Sequence, residues 1–191
     1  MEILLKELTH RVKNSLQTIG SIVRIEARHH RSGEGRGALE QVANRINAIG
    51  RLYANLEKAG SIEAIDAALY LEDVCANLIA STQQAGETIS LVTDVANEQL
   101  PTAQAIPIGL IVNELVTNAI KYAFPEGGTG TVTVTLKRIS GRLCLSVADD
   151  GIGASFQRHE SGLGSLLIEG FAEQLDARLE RRAAKRVRPC V

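Results

Sequence analysis

The sequence predicts an α+β protein in which a helical hairpin precedes an α/β sandwich. Three observations carry this reading. Near the N-terminus, two long stretches repeat apolar residues at helical spacing on either side of a glycine-rich break. Further on, β-branched runs alternate with a period of two. Among them lies Asn113–Phe124, NELVTNAIKYAF, a helical stretch with one apolar and one polar face. The expected division is a hairpin over 1–60 and a sandwich over 61–191.

The first helix is expected over residues 2–30. Leu5, Leu8, Val12, Ile19 and Ile22 keep an a/d-like rhythm, with Ser15 as its polar member. Arg31–Gly37, RSGEGRG, has three glycines in seven residues and reads as a loop. A second helix, from about Ala38 to Lys58, carries the stripe Leu39, Val42, Ile46, Ile49, Tyr53 and Leu56. A short connection makes the two antiparallel, yet a helix pair alone buries little apolar surface. The hairpin should therefore pair with a second copy as a four-helix bundle, or pack on the chain's own second half.

Gly60–Asp66 reads as a linker. Helical spacing returns over Ala67–Ser81 through Leu71, Val74, Cys75, Leu78 and Ile79, and Thr88–Val95, TISLVTDV, has strand composition. Pro101 and Pro107 bracket the approach to the Asn113–Phe124 helix, and Pro125-Glu126-Gly127-Gly128 ends it. Thr131–Ile139 and Arg142–Asp149 alternate about a turn at Ser140-Gly141, the pattern of a hairpin with one covered face. Gly162-Leu163-Gly164 leads into a last helix from about Ser165 to Leu175.

With 191 residues, 45% apolar and 23% charged, the chain has the composition of a globular protein. A formal net charge of −1 gives no electrostatic reason to bind nucleic acid, and the six basic residues within Arg178–Arg188 lack interleaved aromatics. No run of about 18 apolar residues is present, so no membrane contact by this segment is expected. Lys6, Arg11 and Lys13 interrupt any signal-peptide core. Cys75, Cys144 and Cys190 are widely spaced, as reduced thiols in a cytoplasmic setting would be.

Three places carry chemistry. On the polar face of the central helix, Glu114, Asn118 and Lys121 fall at i, i+4 and i+7, with Tyr122 at the margin and Asn113 off to one side. Such a face is either solvated, or it presents hard oxygen ligands and a cation to a magnesium-bound polyphosphate. His10 shares a helix face with Glu7, Lys13 and Asn14. It is either a solvated histidine or a nucleophile, because a neutral imidazole with a pKa of about 6.5 is competent near neutrality. Finally, Asp149-Asp150-Gly151-Ile152-Gly153 brings a carboxylate and bare backbone to a strand end, and Gly162-Leu163-Gly164 opens a helix whose free N–H groups suit phosphate.

In this order, HRVKNSLQ, NELVTNAIKYAF, DDGIG and GLG resemble the sensor histidine kinases. More narrowly they are similar to the HisKA_2 or HWE-related subfamily, whose phosphoacceptor motif is His-Arg-x-Lys-Asn. The resemblance runs from about Lys6 to Leu175. It implies a dimerising phosphoacceptor hairpin followed by a Bergerat-type ATP-binding sandwich, with ATP and Mg²⁺ as cofactors. His10 would be the phosphoacceptor, and Asn118 would hold Mg²⁺ against the nucleotide phosphates. Glu114 would polarise the reacting centre, Lys121 would contact phosphate and Tyr122 would flank the nucleotide. Asp149 would accept from adenine N6, Gly151 and Gly153 would shape that pocket, and Gly162, Leu163 and Gly164 would form the lid hinge and phosphate cradle. A receiver-domain aspartate of a response regulator would take the phosphoryl group from a homodimeric kinase.

Two positions depart from the wider family. Arg11 stands where many histidine kinases have an acidic residue, which leaves the general base to Glu7; Asn14 could orient a hydrolytic water in a phosphatase reaction. After Leu175 the family's paired glycines are replaced by Asp176-Ala177, and RLERRAAKRVRPCV supplies one strand at most, so the sandwich is expected to lack its final strand or strands. With no sensor before His10, input is expected from an upstream domain or a partner. The rival readings are a phosphotransfer adaptor or phosphatase without productive ATP use, an ATPase or serine kinase of the wider superfamily, and a plain dimerisation module.

Overall fold

The computed structural model describes residues 2–29, 33–59, 64–82, 88–124, 128–152 and 163–180. Helices α1 (Glu2–His29) and α2 (Gly33–Ala59) come first, then β1 (Ala64–Asp66) and α3 (Ala67–Thr82). The chain continues through β2 (Thr88–Val95), β3 (Gln99–Pro101), α4 (Thr102–Ala123), β4 (Thr129–Ile139), β5 (Arg142–Asp149) and α5 (Leu163–Gln174). It forms two compact units, Met1–Ile65 with Pro101–Ile106, and Asp66–Leu100 with Pro107–Val191.

In the first unit α1 and α2 run antiparallel, since Leu16 lies beside Gly50 while Gly20 lies beside Ile46 and Asn47. α2 starts at Gly33, inside the stretch expected to be a loop. Each glycine in a helix costs about 1 kcal/mol relative to alanine, and burying an amphipathic face outweighs that sum. The seam is lined by small residues beside the apolar stripes. Leu16, Gly20, Val23 and Ala27 of α1 are buried or half-buried, and Ala43 and Gly50 are buried on α2. Small residues let the two backbones approach closely. The larger Val12, Ile19, Ile22 and Ile25 are left 38%, 47%, 60% and 55% exposed, a second apolar stripe on the same helix.

In the second unit the sheet order is β2-β4-β5, with β2 parallel and β5 antiparallel to β4. Val132, Val134 and Leu136 of β4 are fully buried. Ile89 and Leu91, with Leu145 and Val147, share their face of the sheet. The opposite face is polar, where Thr135 Oγ1 and Ser146 Oγ meet at 2.5 Å and Lys137 pairs with Asp94. Ser140 and Gly141 have φ of 50° and 80°, the left-handed pair that a two-residue hairpin turn requires. A separate two-stranded sheet joins β1 to β3, so part of the expected linker is a strand.

Local devices hold this unit. Asp66 caps α3 by accepting from the Leu69 N–H at 3.0 Å. Arg138 donates to both Glu98 oxygens, at 2.9 and 3.0 Å, and to the Gly141 carbonyl at 3.0 Å. These bonds hold the Glu98 carboxyl below the usual glutamate range, chiefly through the hydrogen bond itself. The backbone carbonyl of Glu98 also accepts from Ala67 N. α5 closes with the Ala177 N–H on the Ala172 carbonyl at 2.8 Å and the Asp176 N–H on the Glu173 carbonyl at 3.0 Å, a Schellman ending. Asp176 takes φ of 50° there, the position that glycine usually fills. Among the described residues, Ala177–Glu180 is not a strand, and the expected final strand lies outside them.

α4 starts eleven residues before the stretch singled out in the sequence and runs through Pro107. An interior proline removes the bond to the carbonyl four residues earlier and crowds that carbonyl with its ring. Pro107 is fully buried, and its packing offsets that loss. By length and composition α4 could cross a bilayer, but most of it is buried inside the protein, as a core helix must be.

Candidate active site

α4 presents its polar face as a gradient. Asn113 and Glu114 are buried, Asn118 and Thr117 are half-buried, and Lys121 and Tyr122 are exposed. The carboxylate therefore sits at the dry end of the face and the ammonium at its wet end, with one turn of helix between Glu114 and Asn118.

The end of β5 is fastened to the last turn of this helix. The Ile152 N–H donates to the Ala123 carbonyl at 3.0 Å. Gly151 lies so close that a Cβ there would overlap the same carbonyl oxygen and sit 2.6 Å from the Ala123 Cβ, so this position requires glycine. Asp149 is half-buried, and its Oδ1 accepts from the Gly151 N–H at 3.2 Å. A carboxylate has about four lone-pair sites, so it keeps capacity for an outside amine. Asp150 bonds Thr131 twice, its N–H to the carbonyl at 3.2 Å and its Oδ1 from the N–H at 2.7 Å. Gly130 leaves room for both the Phe124 ring and this Asp150 oxygen.

α4 thus carries Glu114, Asn118, Lys121 and Tyr122 along one helix, and Gly151, with the Asp149 carboxylate bonded to its N–H, docks on Ala123 in the last turn. Gly153 and Gly162 lie outside the described residues. Leu163 and Gly164 belong to the first turn of α5, rather than leading into it as expected. Asp150, Phe124 and Gly130 were not singled out by sequence; the doubled aspartate before Gly151 and a lone glycine opening a threonine-valine strand were the available signals.

His10 is exposed on α1, with its Nδ1 3.3 Å from Asn14 Nδ2. Whichever amide atom faces the ring selects its tautomer. Glu7, expected as the general base, is paired with Arg11, its Oε1 accepting at 2.7 and 3.2 Å. Both pairs are one turn apart on an exposed helix, where such contacts add only tenths of a kcal/mol to stability, about 0.2–0.5. Their value lies in orientation.

No cluster of three or more His, Cys, Asp or Glu capable of holding a metal alone occurs among the described residues. An amide and a carboxylate on one helix face fit Mg²⁺, which keeps waters and phosphate oxygens in its shell and needs few protein ligands.

Comparison with known proteins agrees with this arrangement. Residues 7–82 match the HisKA_2 histidine kinase family, and residues 78–188 match the histidine kinase-like ATPase domain. The chain is 29% identical over 192 residues to the sensor histidine kinase PdtaS of Mycobacterium tuberculosis, covering 95% of this chain and 37% of that protein. It is 29% identical over 183 residues to blue-light-activated histidine kinase 2 of Erythrobacter litoralis, covering 92% and 52% respectively. The chain therefore spans about half or less of these relatives. The solved histidine kinase domain of an Erythrobacter litoralis blue-light activated histidine kinase superposes with a TM-score of 0.69 at 25% identity, covering 96% of this chain and 88% of that one. With its second family match covering more than half of the chain, and its mixed sheet following a helical N-terminal region as in that structure, this protein belongs to the histidine kinase family.

Proposed function

We propose that the chain is the core of a two-component protein histidine kinase, which phosphorylates His10 from Mg-ATP and passes the group to a response-regulator aspartate. The observation that carries this is the junction of α4 with the Asp149–Ile152 turn, where the Ile152 N–H bonds the Ala123 carbonyl in the last turn of the helix and the Gly151 N–H holds the Asp149 carboxylate. In this reading residues 1–60 form the phosphoacceptor hairpin and 61–191 the nucleotide-binding domain. Two copies join through the exposed Val12, Ile19, Ile22 and Ile25 stripe, and the setting is cytoplasmic.

Bound Mg²⁺ would neutralise charge on the polyphosphate. Asn118 ligates it, Glu114 polarises the reacting centre, Lys121 meets phosphate, and Tyr122 flanks the nucleotide. Asp149 accepts from the adenine amine. Gly151 and Gly153 let the base approach, while Gly162, Leu163 and Gly164 close over the phosphates. Phosphoryl transfer needs mainly in-line placement. Attack needs the tautomer with its proton on Nδ1, for which the Asn14 amide must turn its oxygen to the ring in place of the Nδ2 that faces it; the Nε2 lone pair of His10 then attacks the γ-phosphorus and the bond to the β,γ-bridging oxygen breaks. ADP leaves, and the Nδ1 proton is then released. Glu7, one turn before His10 and paired with Arg11, is the candidate base.

Incubation with γ-labelled ATP and Mg²⁺ tests this. Acid-labile label on the wild type, lost in both His10→Ala and Asn118→Ala, is the expected result. ATP binding with no label on the wild type would sink the kinase reading. Glu7→Gln separates the base: an unchanged pH profile removes that role. Asn14 beside His10 Nδ1 also favours a second activity, hydrolysis of the phosphorylated receiver, which Asn14→Ala should abolish.

A further inference from the structure

The strand carrying Asp149 does not end where its ladder pattern would end it. The register runs to Val132 opposite Asp149, and the following pair is Thr131 with Asp150. In a regular antiparallel ladder such a pair exchanges two backbone bonds. Here only one is backbone to backbone, from Asp150 N to the Thr131 carbonyl at 3.2 Å. The Thr131 N–H instead donates to Asp150 Oδ1 at 2.7 Å. A side-chain oxygen thus replaces the main-chain carbonyl as acceptor, and the chain leaves the sheet after Asp150 without orphaning the Thr131 N–H. That departure sends Gly151 onto the Ala123 carbonyl and lets Ile152 N–H bond it at 3.0 Å. Gly151 N–H in turn orients Asp149 Oδ1 at 3.2 Å.

We infer that Asp150 is a positioning residue for nucleotide recognition: its carboxylate substitutes for a ladder carbonyl, and this sets the angle at which Asp149 meets the base. The inference rests on the reading of Asp149 as the adenine acceptor. A residue at this position without a short side-chain acceptor would let the Thr131 N–H reclaim the main-chain carbonyl, pulling Gly151 off α4 and rotating Asp149. Gly130 supports the assignment, because a Cβ there would sit 2.7 Å from the same Asp150 oxygen.

The test measures dissociation constants of Mg-ATP and Mg-GTP for the purified chain and its variants, alongside thermal unfolding. Losing one charge-assisted bond should weaken ATP binding by about tenfold in Asp150→Ala. GTP, which lacks the exocyclic amine at that ring position, should be little affected, so the ATP-over-GTP preference collapses. Asp150→Asn keeps the oxygen and should restore both affinity and preference. A melting temperature that falls in Asp150→Ala with the preference intact would make the residue merely structural and overturn the inference. So would an Asp150→Asn variant as impaired as Asp150→Ala. Asp149→Ala, which removes the acceptor, keeps the two failures apart. If it leaves ATP binding unchanged, the reading of the site is wrong; if it weakens ATP while Asp150→Ala does not, only the positioning role is lost.

Discussion

The fit of Gly151 against α4 gives a prediction that can be worked through. In Gly151→Ala the added carbon overlaps the Ala123 carbonyl oxygen and comes within 2.6 Å of the Ala123 Cβ and 2.8 Å of its carbonyl carbon. None of these atoms can swing aside, as the end of a long side chain could. Overpacking of this kind costs about 1–3 kcal/mol, and moving the turn also loses the Ile152–Ala123 hydrogen bond, about 1 kcal/mol more, so the expected loss is about 2–4 kcal/mol. Gly170 in α5 is the control, because a Cβ there meets nothing within 4 Å. Gly170→Ala should stabilise by about 0.5–1 kcal/mol through helix propensity. Urea unfolding followed by circular dichroism reads both, and with slopes of about 1–3 kcal/mol/M Gly151→Ala should lower the midpoint by roughly 1 M or more. A Gly151→Ala midpoint matching the wild type would refute the close approach and, with it, the account of how Asp149 is held.

Asp176 occupies a left-handed position at φ of 50°, so Asp176→Gly should raise stability by about 1 kcal/mol in the same assay. Glu98 has a depressed pKa in the folded chain, so its contribution is present above the ordinary glutamate pKa and is lost as pH falls through the folded value. Glu98→Gln should flatten the acid limb of a stability–pH curve, and high salt should do the same because the pair is solvent-exposed. Cys75 is buried, chiefly by which its thiol is pushed up to about 12; Cys144 is exposed. Peptide mapping after brief maleimide treatment at pH 8 should find Cys144 modified, and Cys75 only after denaturation.

Sequence patterns were legible where a local rule and the tertiary structure agreed. β2 falls on Thr88–Val95 and the β4–β5 hairpin turns at Ser140-Gly141, because β-branched alternation and a small-residue turn act over a few residues. The polar face of α4 was equally readable, since its spacing follows from helix geometry alone. What failed was set by packing. Pro107 looked like a helix boundary, but a buried proline loses one bond and keeps its contacts. Gly33–Gly37 looked like a loop, but it continues as the first turns of α2. The a/d-like rhythm of α1 did not reveal the face that meets α2, because Gly20 and Ala27, small residues outside that rhythm, lie at the contact. β1 and β3 have three residues each, too few for any period to register. At the site, neither the carbonyl of Ala123 nor the clamp on Thr131 has a signature of its own, because both depend on where the backbone of another element passes.

The two pairings of β4 differ in reach, and this bears on how the chain assembles. Its bond to β5 closes through a turn of two residues, whereas its parallel partner joins Thr88 to Thr129 across the whole of α4. Long-range closure is entropically slow, so the β4–β5 hairpin should form first and β2 should dock onto it. Pulse-labelled hydrogen exchange during refolding would show β5 amides protected ahead of those in β2. During synthesis β2 leaves the ribosome well before its partner, with Ile89 and Leu91 uncovered. On its other face Thr88, Ser90 and Asp94 flank the exposed Val92 and act as gatekeepers, keeping a waiting strand from pairing with the wrong chain.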